Sequence, residues 1–594
     1  MFLPISKQEM TGRGWDFPDF ICVTGDAYVD HPSFGAAIIS RLLESLGFRV
    51  AMLPQPLSDK DFTRFGRPRL GFFVTSGCID SMVANYTAAK KRRSDDAYTS
   101  GNKAGKRPDR ALTVYAKAIK RVYPGIPVMI GGLEASLRRF AHYDYWDDEV
   151  KPSVLMSSGA DLLVYGMGER QTEEIAKRLS AGENISEMTN IKGTCILTNG
   201  MGLPQNSVSC KSYEKVRDDK LSYAKAHQLQ LMEQDHVTGR ALVQQHGADL
   251  FLVQNPPQPP LSQEELDKVF DLPFMRMYHP AYEAYGGVKA IEEVEFSIMH
   301  NRGCFGGCAF CSIAFHQGKS VTARSRGSIL AEAVRMTKNP RFKGYIHDVG
   351  GATANFRKPS CKRQLEKGMC KNRPCLAPRP CPNLEIGHSE YLEILRDLRK
   401  LPKVKSVFVR SGLRYDYINL DKKSEFLNEL VAHHVSGRLK VAPEHCAAAV
   451  LDCMGKPHIA EFERFSEKFY AATKKAGKKQ YLVPYLMSSH PGATLKDAVT
   501  LALYLKKHKL RPEQVQDFYP TPGTSSTCMF YTGLDSRTLK PVYVAKDAEE
   551  KAMQRALLQA FDPKTHKLAR EALIKAGRRD LIGNAPGCLV PARR

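Results

Sequence analysis

Three cysteines in one short stretch, Cys304-Phe305-Gly306-Gly307-Cys308-Ala309-Phe310-Cys311, carry the strongest chemical signal in the sequence. Their spacing is C-x3-C-x2-C. Three thiolates can bind three irons of a cubane cluster, because soft sulfur suits iron, and a fourth iron is then left open. Gly306 and Gly307 let the backbone wrap closely around such a cluster. The alternatives on residue type alone are buried unligated cysteines, or a zinc site one ligand short. Structural zinc sites usually have four ligands and paired cysteines.

A second group follows at Cys361, Cys370, Cys375 and Cys381, spaced C-x8-C-x4-C-x5-C and interleaved with Pro374, Pro378, Pro380 and Pro382. Four thiolates in a proline-stiffened loop suit a zinc ion or an auxiliary iron–sulfur cluster. The chain has 15 cysteines, and seven of them fall between Cys304 and Cys381. In a reducing compartment such clustering points to metal ligation rather than disulfides. Two loops of mixed charge and aromatic character, Asp26–His31 and Arg138–Trp146, suit either a ligand or a contact between domains. The turn Gly166-Met167-Gly168-Glu169 before a helix could receive an anion, but it lacks a full dinucleotide motif.

The elements that must position these residues alternate between strand and helix. Strands are expected at Phe20–Thr24, Arg49–Leu53, Leu70–Thr75, Pro127–Ile130 and Leu162–Tyr165, with helices at Gly35–Gly47 and after Gly168. This rhythm predicts an α/β class with an N-terminal doubly wound parallel sheet over residues 1–180. Residues 181–290 read as a helical and irregular linker region, with the proline-rich Asn255–Pro260 inside it. From 291 to 530 a second series of strands is expected at Val294–Met299, Gly344–Val349, Val407–Arg410, Leu439–Ala442, Gln480–Leu486 and Val515–Tyr519. Six strand–helix units predict a partial (β/α)6 barrel, with a cysteine-rich insertion at 357–383 and the first cysteine loop at the carboxyl end of its first strand. Residues 531–594 read as a short basic helical extension whose end, Asn584–Arg594, is expected to be flexible.

The formal net charge is +24, from 87 Lys+Arg against 63 Asp+Glu. A basic surface attracts polyanions, which makes RNA a candidate partner. No apolar run reaches the length of a membrane span, and Met1–Gly14 lacks the pattern of a secretory signal. A cytoplasmic protein with no membrane partner is expected.

The motif C-x3-C-x-aromatic-C, with Phe310 as the aromatic, resembles the signature of the radical SAM superfamily. That resemblance implies a [4Fe–4S] cluster on Cys304, Cys308 and Cys311. It also implies S-adenosylmethionine chelated to the open iron, reductive cleavage to a 5′-deoxyadenosyl radical, and a reductant such as flavodoxin or ferredoxin. Gly350-Gly351 then resembles the glycine motif near the cofactor's amino group. Arg410-Ser411 and Glu444-His445 resemble ribose- or carboxylate-contacting positions, and Asp517–Pro520 resembles the adenine edge. Four further stretches, Val23–Gly35, Arg107–Ala111, Gly131–Trp146 and Lys440–His445, are similar to the YgiQ family of radical SAM proteins, which has no settled substrate. The family's N-terminal domain resembles the cobalamin-binding fold. Here Asp30-His31-Pro32-Ser33-Phe34-Gly35 departs from the usual D-x-H-x-x-G order, which argues against cobalamin, above all on a histidine ligand. Three readings follow: a radical SAM enzyme on an unknown substrate, an RNA-modifying enzyme of the same chemistry, or a non-catalytic iron–sulfur redox sensor.

Overall fold

The computed structural model describes residues 1–371, 373–512 and 515–592. Its largest sheet has nine strands, in the order Val208–Ser209, Leu242–His246, Leu250–Gln254, Thr194–Thr198, Leu162–Val164, Val128–Gly131, Gly71–Thr75, Phe20–Thr24 and Val50–Pro54. The last five are parallel and run 5-4-3-1-2 in chain order, a doubly wound arrangement. Strand side chains alternate between faces. Ile21, Val23, Phe72 and Val74 therefore pack on one side with Leu112, Tyr115 and Ile119 of the helix Ala111–Val122. Phe20, Cys22 and Phe73 pack on the other, against Leu43, Ile175 and Leu179 of the helices Gly35–Ser45 and Glu169–Ser180.

Residues 181–290 differ from the sequence expectation. Four strands of this segment extend the sheet: Thr194–Thr198 and Leu250–Gln254 pair antiparallel, Leu242–His246 follows, and Val208–Ser209 forms the edge. Polar Gln244, His246 and Gln254 interrupt the apolar alternation, so the period-2 signal is weak, yet all three are buried. The expected proline-rich connector, Asn255–Pro260, has no regular structure.

The second series of strands is present in sequential order. Ser297–Arg302 pairs parallel with Asp348–Gly351, and Tyr345–Ile346 pairs parallel with Ser406–Val407. Arg438–Glu444, Tyr481–Ser488 and Gln516–Asp517 form a second parallel set. The first of these strands starts three residues later than expected, after a short helix at Ile291–Val294. Ile298, Ile346, Val407, Leu439 and Leu482 point into one core with Ile329, Leu395 and Phe465 from the surrounding helices. The C-terminal helices Ala548–Leu558 and His566–Lys575 pack on the helix Leu495–Lys507 through Ala498, Met553, Leu557 and Leu573. Val590 is fully buried in the same cluster and bridges to Ile582, so the segment after Asn584 is anchored rather than free; residues 593 and 594 lie outside the described residues. No helix among the described residues is long and apolar enough to cross a membrane.

Candidate active site

The strand Ser297–Arg302 delivers the chain into the loop holding Cys304, Cys308 and Cys311, and the short helix Ile313–Gln317 closes it. Phe305 is buried and stacks on Phe356 with ring centroids 3.8 Å apart, which pins the loop to the apolar floor. Cys304 Sγ accepts the Gly306 N–H at 3.3 Å and lies 3.3 Å from Thr353 Oγ1. Arg414 sits beneath the loop. Its guanidinium donates to the Gly306 carbonyl at 3.3 Å and stands 3.6 Å from Cys308 Sγ. Asp416 holds it in place through bonds of 2.8 and 2.6 Å.

Burial pushes the Cys311 thiol up to about 12, and the neighbouring Cys308 and Cys304 thiols add to the effect. Burial also raises the Cys304 thiol. Without a compensating cation these groups stay protonated at neutral pH, whereas bound iron deprotonates a coordinating thiol outright. The residues fit a [4Fe–4S] cluster. A Cβ built on Gly306 would meet the Arg414 guanidinium at 2.6 Å and Cys304 Sγ at 3.2 Å, so the cradle takes only glycine there. Among the described residues no three His, Cys, Asp or Glu side chains gather as ligands of one ion. That is expected of cubane ligands, because each thiolate binds a different iron.

Cys308 and Cys311 open into a cavity of about 770 Å³. Its walls come from every part of the chain: Gly166 and Met167 at the end of the fifth strand, Asp235 and His236, Pro257–Leu261, Cys370 and Cys375, Lys456, and Asp535 with Arg537. Arg170, Arg302, Lys319 and Lys371 also face it, so the lining is rich in cations. Enclosure lowers the pKa of Lys319, with Cys375 and Asp235 opposing that shift. Arg302 is paired with Glu169 at 2.6 Å, and both side chains are buried. In the Gly166 turn, the Gly166 N–H donates to Ser136 Oγ at 3.0 Å, which in turn lies 2.8 Å from His316 Nδ1.

The cofactor-contacting residues expected from sequence fall into two groups. Asp348 accepts the backbone N–H groups of Arg410 (2.7 Å) and Ser411 (3.1 Å) and the Ser411 hydroxyl. Gly350 and Gly351 lie where the strands come closest: a Cβ would strike Ser411 and Asp348 in the first case and Asn301 in the second. These two glycines, Arg410 and Ser411 lie outside the cavity wall, and the Arg410 side chain is exposed. Glu444 is buried at a positive φ of 68°, uncommon for a residue with a Cβ, and its carboxylate is 3.9 Å from Lys456 Nζ. Burial raises the Glu444 pKa and Lys456 opposes it. The strand bulge between Val441 and Glu444 re-aims this side chain. Arg414, Lys319 and Lys456 had no signal in the sequence, because isolated basic residues outside a motif look like surface charge.

The second cysteine group also comes together: Cys361, Cys370, Cys375 and Cys381 line one small cavity, which Cys370 and Cys375 share with the large one. The two mixed loops of the N-terminal half serve as internal contacts. Asp26 is paired with the buried Arg107 at 2.6 Å, and Arg138 with Asp80 at 2.8 Å and Asp144 at 3.1 Å. Tyr145 and Trp146 pack on Tyr519, whose hydroxyl donates to the Tyr86 carbonyl at 3.1 Å. His31 is fully buried away from the cavity, with its Nδ1 accepting the Ser33 N–H at 3.1 Å. It is not among the residues that line the cavity.

Comparison with known proteins agrees with this layout. A family model described as Radical SAM N-terminal matches residues 2–297, and a domain of unknown function, DUF3362, matches residues 513–594. A UPF0313 protein of Clostridium perfringens is 54% identical over 592 residues, covering 99% of this chain and 89% of its own length. One from Clostridium botulinum is also 54% identical, covering 99% of this chain and 92% of its own length. Among solved structures, the radical S-adenosylmethionine methyltransferase TsrM from Kitasatospora setae, with cobalamin and a [4Fe-4S] cluster bound, aligns with a TM-score of 0.50 at 12% identity. The alignment covers 94% of this chain and 99% of that one. This likeness is one of fold. The sequence argument against cobalamin gains no support from it.

Proposed function

This chain belongs to the UPF0313, or YgiQ, family of radical SAM proteins, and from that premise we propose that it is an enzyme whose radical chemistry takes place in the 770 Å³ cavity. A [4Fe–4S] cluster on Cys304, Cys308 and Cys311, with S-adenosylmethionine on its open iron, would supply a 5′-deoxyadenosyl radical there. Opening of Cys308 and Cys311 into that cavity is the observation that carries the reading. Arg414 places a fixed cation against the thiolates and stabilises their negative charge. The pair Glu444–Lys456 sets a carboxylate at the cavity edge, and Lys456 faces the cavity directly. The pair Glu169–Arg302 ties the N-terminal half to the cavity rim, and Arg537, which donates to the Asp452 and Cys453 carbonyls at 3.1 and 3.0 Å, ties the C-terminal segment to it.

A cavity of this size suits a small molecule or a single residue of a larger one. The surplus of cations favours a substrate carrying carboxylate or phosphate. The test is electron paramagnetic resonance of the anaerobically reconstituted, reduced protein. Adding S-adenosylmethionine should shift the cluster spectrum, because the ligand binds the open iron. A spectrum indifferent to S-adenosylmethionine would favour the non-catalytic redox sensor instead.

A further inference from the structure

We propose that Cys361, Cys370, Cys375 and Cys381 hold a second, fully thiolate-ligated [4Fe–4S] cluster beside the substrate cavity. The four thiols come from one loop and line a single small cavity. Hydrogen bonds within the protein hold the loop in shape. Ser360 donates its N–H and hydroxyl to the buried Gln364 side chain at 2.8 and 2.9 Å, and Gln364 donates to the Lys319 carbonyl at 3.2 Å. The Cys381 N–H donates to the Cys375 carbonyl at 2.8 Å, closing the far end. Asp235 accepts the Met369 N–H at 3.0 Å and fixes the middle of the loop to the cavity wall. The cysteines are thus delivered to one place by hydrogen bonds that do not use their thiols.

Charge supports a dianionic centre. Apart from Glu366, every charged residue from 357 to 383 is basic. Arg363 Nη1 lies 2.6 Å from Cys370 Sγ and sets a cation against that sulfur.

The neighbourhood of the loop favours iron–sulfur over zinc. Cys370 and Cys375 line the same large cavity as Cys308 and Cys311. The two cysteine groups flank one apolar cluster of Phe305, Phe356 and Leu376, against which Cys304 and Cys375 both pack. A redox centre there would stand next to the first cluster, whereas zinc, which has no redox chemistry, would serve only the loop.

This inference does not rest on the proposed reaction. Full-length protein with Cys304, Cys308 and Cys311 all replaced by alanine, reconstituted anaerobically, should still bind about four irons per chain. Its reduced spectrum should not change with S-adenosylmethionine, because every iron already has its thiolate. Unmodified protein should bind about eight irons, and C361A/C381A protein about four. Zinc in place of iron in the triple variant, or no metal there together with about four irons in the unmodified protein, would overturn the proposal.

Discussion

Arg414 Nη1 stands 3.6 Å from Cys308 Sγ, and the same side chain is clamped by Asp416 at 2.8 and 2.6 Å. A fixed buried cation beside a cluster stabilises its reduced, more negative form. Replacing Arg414 with glutamine should therefore lower the midpoint potential, by about 60 mV or more if the lost interaction is worth a tenfold change in a one-electron couple. It should also destabilise the fold by about 3–5 kcal/mol, because Asp416 is left as a buried unpaired charge. Redox titration monitored by paramagnetic resonance reads the first effect, and a denaturant midpoint reads the second. Arg414→Lys should recover most of the potential.

Gly306→Ala tests the cradle. The added methyl meets the Arg414 guanidinium at 2.6 Å and Cys304 Sγ at 3.2 Å. Overpacking of this kind costs about 1–3 kcal/mol. Iron retained at the first site should fall after gel filtration, while the second cysteine group keeps its metal.

The Glu169–Arg302 pair joins the doubly wound sheet to the strand that carries the first cysteine loop. Arg302→Ala strands a buried carboxylate and should cost about 3–5 kcal/mol. The double variant E169Q/R302M should recover much of that loss. A chemical denaturation cycle on the four proteins measures the coupling directly.

Acid should weaken the fold before the carboxylates titrate. Burial pushes His227 and His316 down to about 4, and His490 to about 3. A histidine whose folded pKa lies below its unfolded value of about 6.5 contributes stability that is intact above that pH and lost as pH falls toward the folded pKa. Each contributes a slope of about 1.4 kcal/mol per pH unit within that window. Urea midpoints should decline from pH 7 to pH 5; a flat or rising series would contradict the burial of these rings in neutral form.

Much of the candidate site was legible from spacing because its cysteines are local in the chain. Cys304, Cys308 and Cys311 lie within one loop, so covalent connectivity alone keeps them together. Strand alternation was equally legible where apolar residues dominate, as in Phe20–Thr24 and Gly71–Thr75. It failed at Leu242–Gln254, where Gln244 and Gln254 occupy buried positions through tertiary hydrogen bonds and the buried His246 stacks on Tyr213. Gly350 and Gly351 resemble a motif near the cofactor's amino group, and packing by itself also asks for glycine there, because a Cβ would strike Ser411 and Asp348 at the first and Asn301 at the second. Arg414 was invisible because its partners, Gly306 and Cys308, are more than a hundred residues away in sequence and only the fold brings them close.

The most direct measurement is formation of 5′-deoxyadenosine by the anaerobically reconstituted protein given S-adenosylmethionine and dithionite. Sustained release, abolished by Cys308→Ala with the fold intact, is the predicted result. No release from a protein whose first cluster is fully loaded, or release unchanged in the Cys308→Ala variant, would contradict the account.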